Sequence, residues 1–297
     1  MLRYLEAARY DFVTPTPAAC QANLARQSRG SGLRDALGWS RIFEEQALDP
    51  RIVEWLAAAD ALEPAGGGWR SRLRVSRLHG RLYLHSAFPT DGECAVFLGP
   101  DSYRFADLIL REMADRPAPH IVFDVGAGAG VGGVTAQQLA PQARIFVSDV
   151  NAAALELADI NATHAGFAPI IVQAPGLEGA PDEIDLIVMN PPYIAGAAGH
   201  VYKDGGDLQG ARLSLDWALE AMRRLPAGGR AILYSGSAIL DGGFDRLKAL
   251  LRENISASGF TLEYREIDPD VFSEELRREA YRGVERIAAI AAVITRR

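Results

Sequence analysis

From Ile121 to the C-terminus, short apolar runs alternate with longer amphipathic stretches. The runs have the length of strands, and the amphipathic stretches between them are long enough for helices. This alternation predicts a parallel sheet covered on both faces by helices, with a binding crevice at the carboxyl ends of its central strands. The predicted strands are Ile121–Val125, Arg144–Asp149, Ile170–Gln173, Ile184–Asn190, Arg230–Ser235, Thr261–Ile267 and Arg286–Thr295, and the helices include Asn151–Ala165, Gly210–Leu225 and Gly243–Ala257.

The first 95 residues follow a different pattern. Helical periodicity dominates up to Ala61, and the Pro/Gly-rich stretch 64–68 then breaks the chain. Two strand-like runs, Leu73–Leu78 and Arg81–His85, follow and are joined at a tight turn. We therefore predict a substrate-recognition domain of helices and a β-hairpin over residues 1–95, and a second domain over residues 96–297.

Bulk composition limits the classes of partner. The net charge of −7 gives no diffuse positive field to attract nucleic acid, although it does not exclude such a partner. Two cysteines and five histidines show no metal-ligand spacing, so we expect no metal and a reduced, cytoplasmic setting. The run Ile287–Ile294 is far shorter than the roughly 20 residues of a membrane span, so no membrane association is expected.

The sequence Asn190-Pro191-Pro192-Tyr193 directly follows one of the predicted buried strands. Two prolines fix φ and keep this segment out of any ladder. The Asn190 side-chain oxygen and the Pro191 carbonyl can each accept one N–H of a planar amino group, and Tyr193 can lie against the π-face that carries the nitrogen. The motif therefore predicts chemistry on an amide or an exocyclic amine.

A glycine-rich turn, Asp124-Val125-Gly126-Ala127-Gly128-Ala129-Gly130, ends the first strand of the predicted sheet. Glycines let backbone N–H groups approach a bound cofactor, and Asp149 after the second strand can bind both ribose hydroxyls of a nucleoside. Gly128, Gly130 and Gly133 also satisfy the dinucleotide pattern, which leaves a nicotinamide-dependent oxidoreductase open. That alternative gives the segment 190–193 no role.

Together these motifs resemble, in order and spacing, those of class I S-adenosylmethionine-dependent methyltransferases, and within them the methyltransferase-small-domain group. That group includes release-factor glutamine methyltransferases and base-modifying RNA methyltransferases. The resemblance covers residues 96–297 and implies a Rossmann-like seven-stranded α/β sheet with S-adenosyl-L-methionine as cofactor. It further implies that Gly126, Gly128 and Gly130 line the methionine part, that Asp149 holds the ribose, that Asp124 supports the turn, and that Asn190 contacts both cofactor and substrate.

Two further segments resemble the family. Residues 97–105, which include Tyr103, are similar to the segment that closes over cofactor and substrate. Residues 203–210 are similar to a Gly-Gly loop, so we expect Asp204, Gly205 and Gly206, with Pro192, on the substrate side. One departure is that the turn after the third strand carries no carboxylate, so adenine must be held by backbone groups or by Gln173.

The substrate stays open between several classes. A protein glutamine amide fits the acidic composition and the Gly-Gly loop, and it is the favoured prediction. An adenine or guanine amine in nucleic acid fits Arg70, Arg72 and Arg74, whose spacing of two would place them on one strand face as a phosphate-binding stripe or as a solvated surface. A small metabolite and a non-catalytic binding module with a degenerate cofactor site are the remaining alternatives.

Overall fold

The computed structural model describes residues 1–90, 92, 94–195, 204–255 and 259–297. The helices are α1 (Leu2–Ala7), α2 (Pro17–Arg26), α3 (Leu33–Leu37), α4 (Pro50–Ala58), α5 (Pro100–Met113), α6 (Val131–Leu139), α7 (Ala152–Ala165), α8 (Arg212–Arg224) and α9 (Arg246–Ile255). The strands are β1 (Leu62–Ala65), β2 (Gly68–Ser71), β3 (Leu73–Leu78), β4 (Arg81–Ser86), β5 (Ile121–Val125), β6 (Arg144–Asp149), β7 (Ile170–Gln173), β8 (Leu186–Met189), β9 (Arg230–Leu240), β10 (Phe244–Asp245), β11 (Phe260–Asp268) and β12 (Val284–Arg296).

The main sheet has the strand order β11-β12-β9-β8-β5-β6-β7, and the two-residue β10 pairs with the end of β9. Strands β5 to β9 pair in parallel, as the strand–helix alternation predicts. One hydrophobic cluster packs α5, α6 and α7 against the sheet, and a second packs α8 and α9 against it. This is the predicted Rossmann-like α/β fold with a seven-stranded sheet.

The last strand departs from the parallel pattern. β12 runs antiparallel to both β9 and β11, because the connection from β11 contains only short 3-10 turns and no crossover helix. β9 continues to Leu240, beyond the predicted end at Ser235, because β12 pairs with it over its whole length. The serines and the glycine at 235–237 interrupt the apolar signal in the sequence but not the hydrogen-bonded ladder.

The N-terminal part has its own hydrophobic cluster, which joins residues of α1, α3 and α4 to the β3–β4 hairpin. The segment 64–68, predicted as a break, is the turn of an additional hairpin formed by β1 and β2. Its central residues Gly66 and Gly67 have φ of +51° and +78°, a conformation that glycine adopts without steric cost. The β3–β4 hairpin also touches the main sheet's helices, because the Asn161 amide on α7 bonds the N–H and the C=O of Leu84 at 2.8 and 3.0 Å.

The predicted arginine stripe does not exist. Arg70 pairs with Glu63, and Arg72 reaches Asp60 at 3.3 Å from the loop between two hairpins. Arg74 is only 2% exposed and donates to the Gly38 carbonyl at 2.6 Å. The strand break between β2 and β3 interrupts the period of two, so the three side chains do not share a face. Within the described residues, no helix is both long enough and apolar enough to cross a membrane.

Candidate active site

A cleft of about 390 Å³ opens at the carboxyl ends of β5, β6, β7 and β8. Its volume lies in the range usual for small-molecule sites. The segments that follow these four parallel strands all contribute to it, as expected for the crevice of a doubly wound sheet. The residues that line it and that carry the argument below are Pro17, Asp101, Gly126, Gly128, Asp149, Val150, Pro175, Gly176, Asn190, Pro191, Pro192, Tyr193, Asp204, Trp217, Phe272 and Glu275.

The glycine-rich turn forms one wall of this cleft. Gly126, Gly128 and Gly130 all have positive φ, and a Cβ on Gly128 would meet no atom within 4 Å. The buried Asp124 carboxylate accepts the N–H of Gly133 at 2.7 Å, which ties the start of α6 to the end of β5. Burial, with a smaller contribution from the charge of Asp149, raises the pKa of Asp124 to about 7. Asp124 therefore lies behind the turn and supports it without lining the cleft.

Asp149 is held at the edge of the cleft by two backbone groups. Its Oδ2 accepts the N–H of Gly128 at 3.0 Å, and its Oδ1 accepts the N–H of Asn151 at 2.9 Å. The Asn151 side chain caps α7 by accepting the N–H of Ala153, so the cap function does not fall on Asp149. The carboxylate is partly exposed to the cleft and keeps further lone pairs for a ligand.

Two acceptors at the end of β8 face the cleft without protein partners. The Asn190 side chain and the Pro191 carbonyl form no hydrogen bond with any described residue, and both residues line the cleft. Polar groups that point into a pocket and lack internal partners are the natural contacts of a ligand. Their arrangement fits the predicted cradle for a planar –NH₂ group.

Tyr193 lies deeper than the sequence alone indicates. Its ring is 7% exposed, packs against Gly236, and makes edge contacts with Phe272 and Tyr234 at centroid distances of 5.9 and 6.5 Å. Its hydroxyl is buried and has no hydrogen-bond partner among the described residues. Burial raises the pKa of Tyr193 well above its ordinary value, with a further contribution from the nearby Asp101 charge, so the hydroxyl is neutral.

Four further residues that line the cleft come from outside its strand-end turns, and two of them, Pro17 and Glu275, carry no functional prediction from the sequence. Asp101, near the N-terminus of α5, is 6% exposed and accepts the Tyr234 hydroxyl at 2.6 Å. Phe272 and Glu275 come from the connection between β11 and β12, and Pro17 comes from the N-terminal part. These positions are far apart in the chain and have no spacing motif, so only the fold brings them together.

Of the other predicted site residues, only some line the cleft. Gln173 is exposed at the end of β7, and the Tyr103 hydroxyl accepts the Thr14 N–H at 3.1 Å. In the loop 204–210, Asp204 lines the cleft, Gly205 is buried against Gly210, and Gly206 faces solvent. Lys203 and His200 lie outside the described residues. No group of three metal-ligating side chains occurs in the described parts of the chain.

Comparison with known proteins identifies the family. Residues 101–204 match the model of the methyltransferase small domain. The release factor glutamine methyltransferase of Bordetella pertussis is 32% identical over 235 residues, covering 72% of this chain and 85% of that protein. The chain belongs to the methyltransferase-small-domain family. Its members are S-adenosylmethionine-dependent methyltransferases, and so is this protein.

Other relatives are more distant. The ribosomal RNA small subunit methyltransferase C of Pseudomonas aeruginosa is 32% identical over 125 residues, covering 40% of this chain and 37% of that protein. Among solved structures, Trm5 of Methanocaldococcus jannaschii in complex with adenosine has a TM-score of 0.52 at 13% identity, covering 86% of this chain and 62% of that one. The structural likeness concerns the fold alone.

The cleft of this family member fits S-adenosylmethionine. The open space beside Gly128 and its positive φ leave room for a ligand against the backbone, which any side chain would fill. The Asp149 carboxylate at the end of β6 supplies acceptors for a ribose diol. Among the described lining residues the charged ones are all acidic, namely Asp101, Asp149, Asp204 and Glu275. This negative lining suits a sulfonium.

Proposed function

We propose that the protein methylates the side-chain amide of a protein glutamine. The observation that carries this proposal is the pair of unpartnered acceptors, Asn190 Oδ1 and the Pro191 carbonyl, in a cleft whose described charged residues are all acidic. An amide –NH₂ has the two N–H donors that these acceptors require. A phosphate backbone entering the same cleft would meet four carboxylates and no described lysine or arginine in the lining.

For methyl transfer the protein has mainly to position the amide nitrogen and to surround it with hydrogen-bond acceptors. S-adenosylmethionine supplies, when bound, a methyl group activated by the sulfonium. Acceptance of both N–H bonds by Asn190 and Pro191 fixes the plane of the amide and draws electron density onto its nitrogen. The same two acceptors stabilise the positive charge that develops on nitrogen as the new N–C bond forms, and the proton then leaves to water.

The remaining predicted substrate residues fit around this cradle. Pro192 follows the two acceptors and is partly exposed, and Asp204 is exposed and also lines the cleft. We assign substrate recognition to residues 1–95 together with the connection between β11 and β12, since Pro17, Phe272 and Glu275 reach the cleft from these two regions. The relative from Bordetella pertussis, which is named for release factors, supplies the first protein substrate to test.

The test combines a substrate comparison with a variant of Asn190. Purified protein and radiolabelled methyl donor are incubated with intact peptide-chain release factors and, separately, with ribosomal RNA fragments, and the modified residue is located by mass spectrometry. We expect label on a glutamine of the protein substrate. Asn190→Ala should reduce transfer by about 10²–10³-fold, as loss of one preorganised polar contact does in other enzymes, while binding of S-adenosylhomocysteine stays within about twofold.

Asn254→Ala is the matched control, since Asn254 lies on the exposed face of α9, far from the cleft lining, and its side-chain amide donates to the Leu250 carbonyl. It should leave transfer unchanged. Label on RNA with a steep salt dependence, and none on protein, would contradict the glutamine proposal and support the base methyltransferase. Full activity of the Asn190→Ala variant would contradict the cradle itself.

A further inference from the structure

Trp217 brings an aromatic ring into the cofactor half of the cleft from a helix that carries no motif. It lies in the middle of α8 and lines the cleft while packing against the hydrophobic cluster beneath the sheet. The glycine turn and the strand-end residues around it come from β5, β6 and β7. The sequence alone gives Trp217 no role beyond helix packing.

The indole reaches across two of the turns that form the cleft. Its Cη2 lies 2.6 Å from the point that a Cβ on Gly126 would occupy, and its Nε1 lies 3.2 Å from the corresponding point at Gly176. Gly126 follows β5 and Gly176 follows β7, so the ring runs beneath the position of β6, where Asp149 ends its strand. Both glycines admit the ring because they have no side chain.

The turn after β7 lacks what a nucleobase would otherwise contact. Ala174, Pro175 and Gly176 line the cleft there, without a carboxylate, and Pro175 has no N–H. The polar side chains nearest to this turn are those of Gln173, Glu178 and Glu220, and none of them lines the cleft. No hydrogen bond of the Trp217 N–H is found within the described part of the chain. The ring and its N–H therefore lie at the end of the cleft that these polar side chains do not reach.

We propose that Trp217 is the adenine-binding residue of this protein, and that contact between its indole and the adenine replaces the missing carboxylate. Val150, which is 55% exposed beside Asp149, lines the same end of the cleft and supplies an apolar contact there. Aromatic contacts of this kind are individually worth about 1–3 kcal/mol in nucleic-acid complexes, which corresponds to roughly five- to 150-fold in affinity. This assignment concerns the cofactor only and is independent of the substrate proposed above.

The experiment compares two ligands on two variants of Trp217. S-adenosylhomocysteine carries adenine, whereas S-ribosylhomocysteine has the same ribose and amino acid without the base. We expect Trp217→Leu to weaken binding of S-adenosylhomocysteine by about tenfold or more, measured by calorimetry, and to leave binding of S-ribosylhomocysteine unchanged in competition titrations. Trp217→Phe, which keeps an aromatic ring in the packing, should lose less than Trp217→Leu.

Equal weakening of both ligands by Trp217→Leu would mean that the ring only supports the glycine turn, and it would overturn the proposal. No weakening of either ligand would also overturn it. Intrinsic fluorescence gives a second readout that does not depend on a leucine variant folding. The other tryptophans, Trp39, Trp55 and Trp69, lie in the N-terminal part. Saturating S-adenosylhomocysteine should change the emission of the wild type and of Trp55→Phe but not of Trp217→Phe, and an unchanged wild-type emission would count against the proposal.

Discussion

The ring of Tyr193 packs directly against Gly236 on β9. A Cβ added at position 236 would lie 2.6 Å from Cε2 of Tyr193 and closer still to Cδ2. Carbon atoms in contact prefer about 3.5–4.0 Å, so Gly236→Ala must displace the tyrosine ring by about 1 Å. Gly236 does not have positive φ, so alanine costs nothing in backbone conformation at this position. The variant therefore moves Tyr193 without touching it chemically.

Two effects of known size follow from this displacement. Overpacking of a dense core costs about 1–3 kcal/mol in the free energy of unfolding. A misplacement of about 1 Å near a reacting group costs about 10²-fold in rate, because Tyr193 belongs to the same rigid segment as Asn190 and Pro191. We expect Gly236→Ala to lower kcat by about that factor, while the Kd for S-adenosylhomocysteine changes little because the glycine turn is not disturbed.

A double-mutant cycle isolates the contact. In a Tyr193→Ala background the clashing ring atoms are absent, so Gly236→Ala should be neutral or slightly stabilising, and the coupling energy from urea unfolding should be at least about 1 kcal/mol. Methyl transfer is assayed on whichever substrate the wild type modifies. The reasoning is refuted if Gly236→Ala costs the same stability in both backgrounds, or if its kcat equals that of the wild type.

Three further predictions concern other parts of the molecule. Folding raises the pKa of Asp124 from 3.8 to about 7, so between these pH values the native state binds one proton more than the unfolded state, and its stability falls as the pH rises. The stability of Asp124→Asn, measured by urea unfolding, should therefore gain about 3 kcal/mol relative to wild type between pH 5 and pH 8. A difference that does not depend on pH would contradict this. Arg74→Ala should lower the free energy of unfolding by about 3 kcal/mol, because it leaves the Gly38 carbonyl unpaired in a buried site. Arg72→Ala, at an exposed position, should lower it by less than about 0.5 kcal/mol. Equal losses would mean that the two arginines have similar surroundings, as an arginine stripe on one strand face requires. Gly128→Ala should weaken calorimetric binding of S-adenosylhomocysteine, because its Cβ meets no protein atom and Gly128 lines the cleft, and it should also cost about 1–2 kcal/mol of stability because φ is +53° there. Unchanged binding would place the cofactor elsewhere.

The cofactor half of the site was predictable because it is local in the sequence. Strands β5, β6 and β7 have the predicted bounds, since each is a mostly apolar run that ends at a turn or at a polar residue. Asp149 and the glycine turn follow such strands directly, so their place at one edge of the sheet comes from the parallel pairing alone. Hydrogen bonding of Asp149 to Gly128 then links the two motifs in space.

Two predicted site residues do not line the cleft, and tertiary contacts decide where they lie. Tyr103 lies two residues after Asp101 on α5, and this spacing turns it away from the cleft toward Thr14 of the N-terminal part. The alternation of side chains along β7 likewise does not carry Gln173 into the cleft. Trp217 was not predicted as a site residue because a single aromatic residue on an amphipathic helix indicates core packing unless the opposing glycines are known to admit it.

The two halves of the cleft therefore differ in how their composition can change. The acceptors of Asn190 and Pro191 and the glycine turn follow strand ends directly, so their positions depend on the sheet. The substrate side is built from Pro17, Phe272 and Glu275, which come from the N-terminal part and from the connection between β11 and β12. These segments can be altered without moving a strand of the sheet. The experiment that tests substrate choice is therefore exchange of residues 1–95 and 269–283 for those of a relative, rather than substitution within the motif.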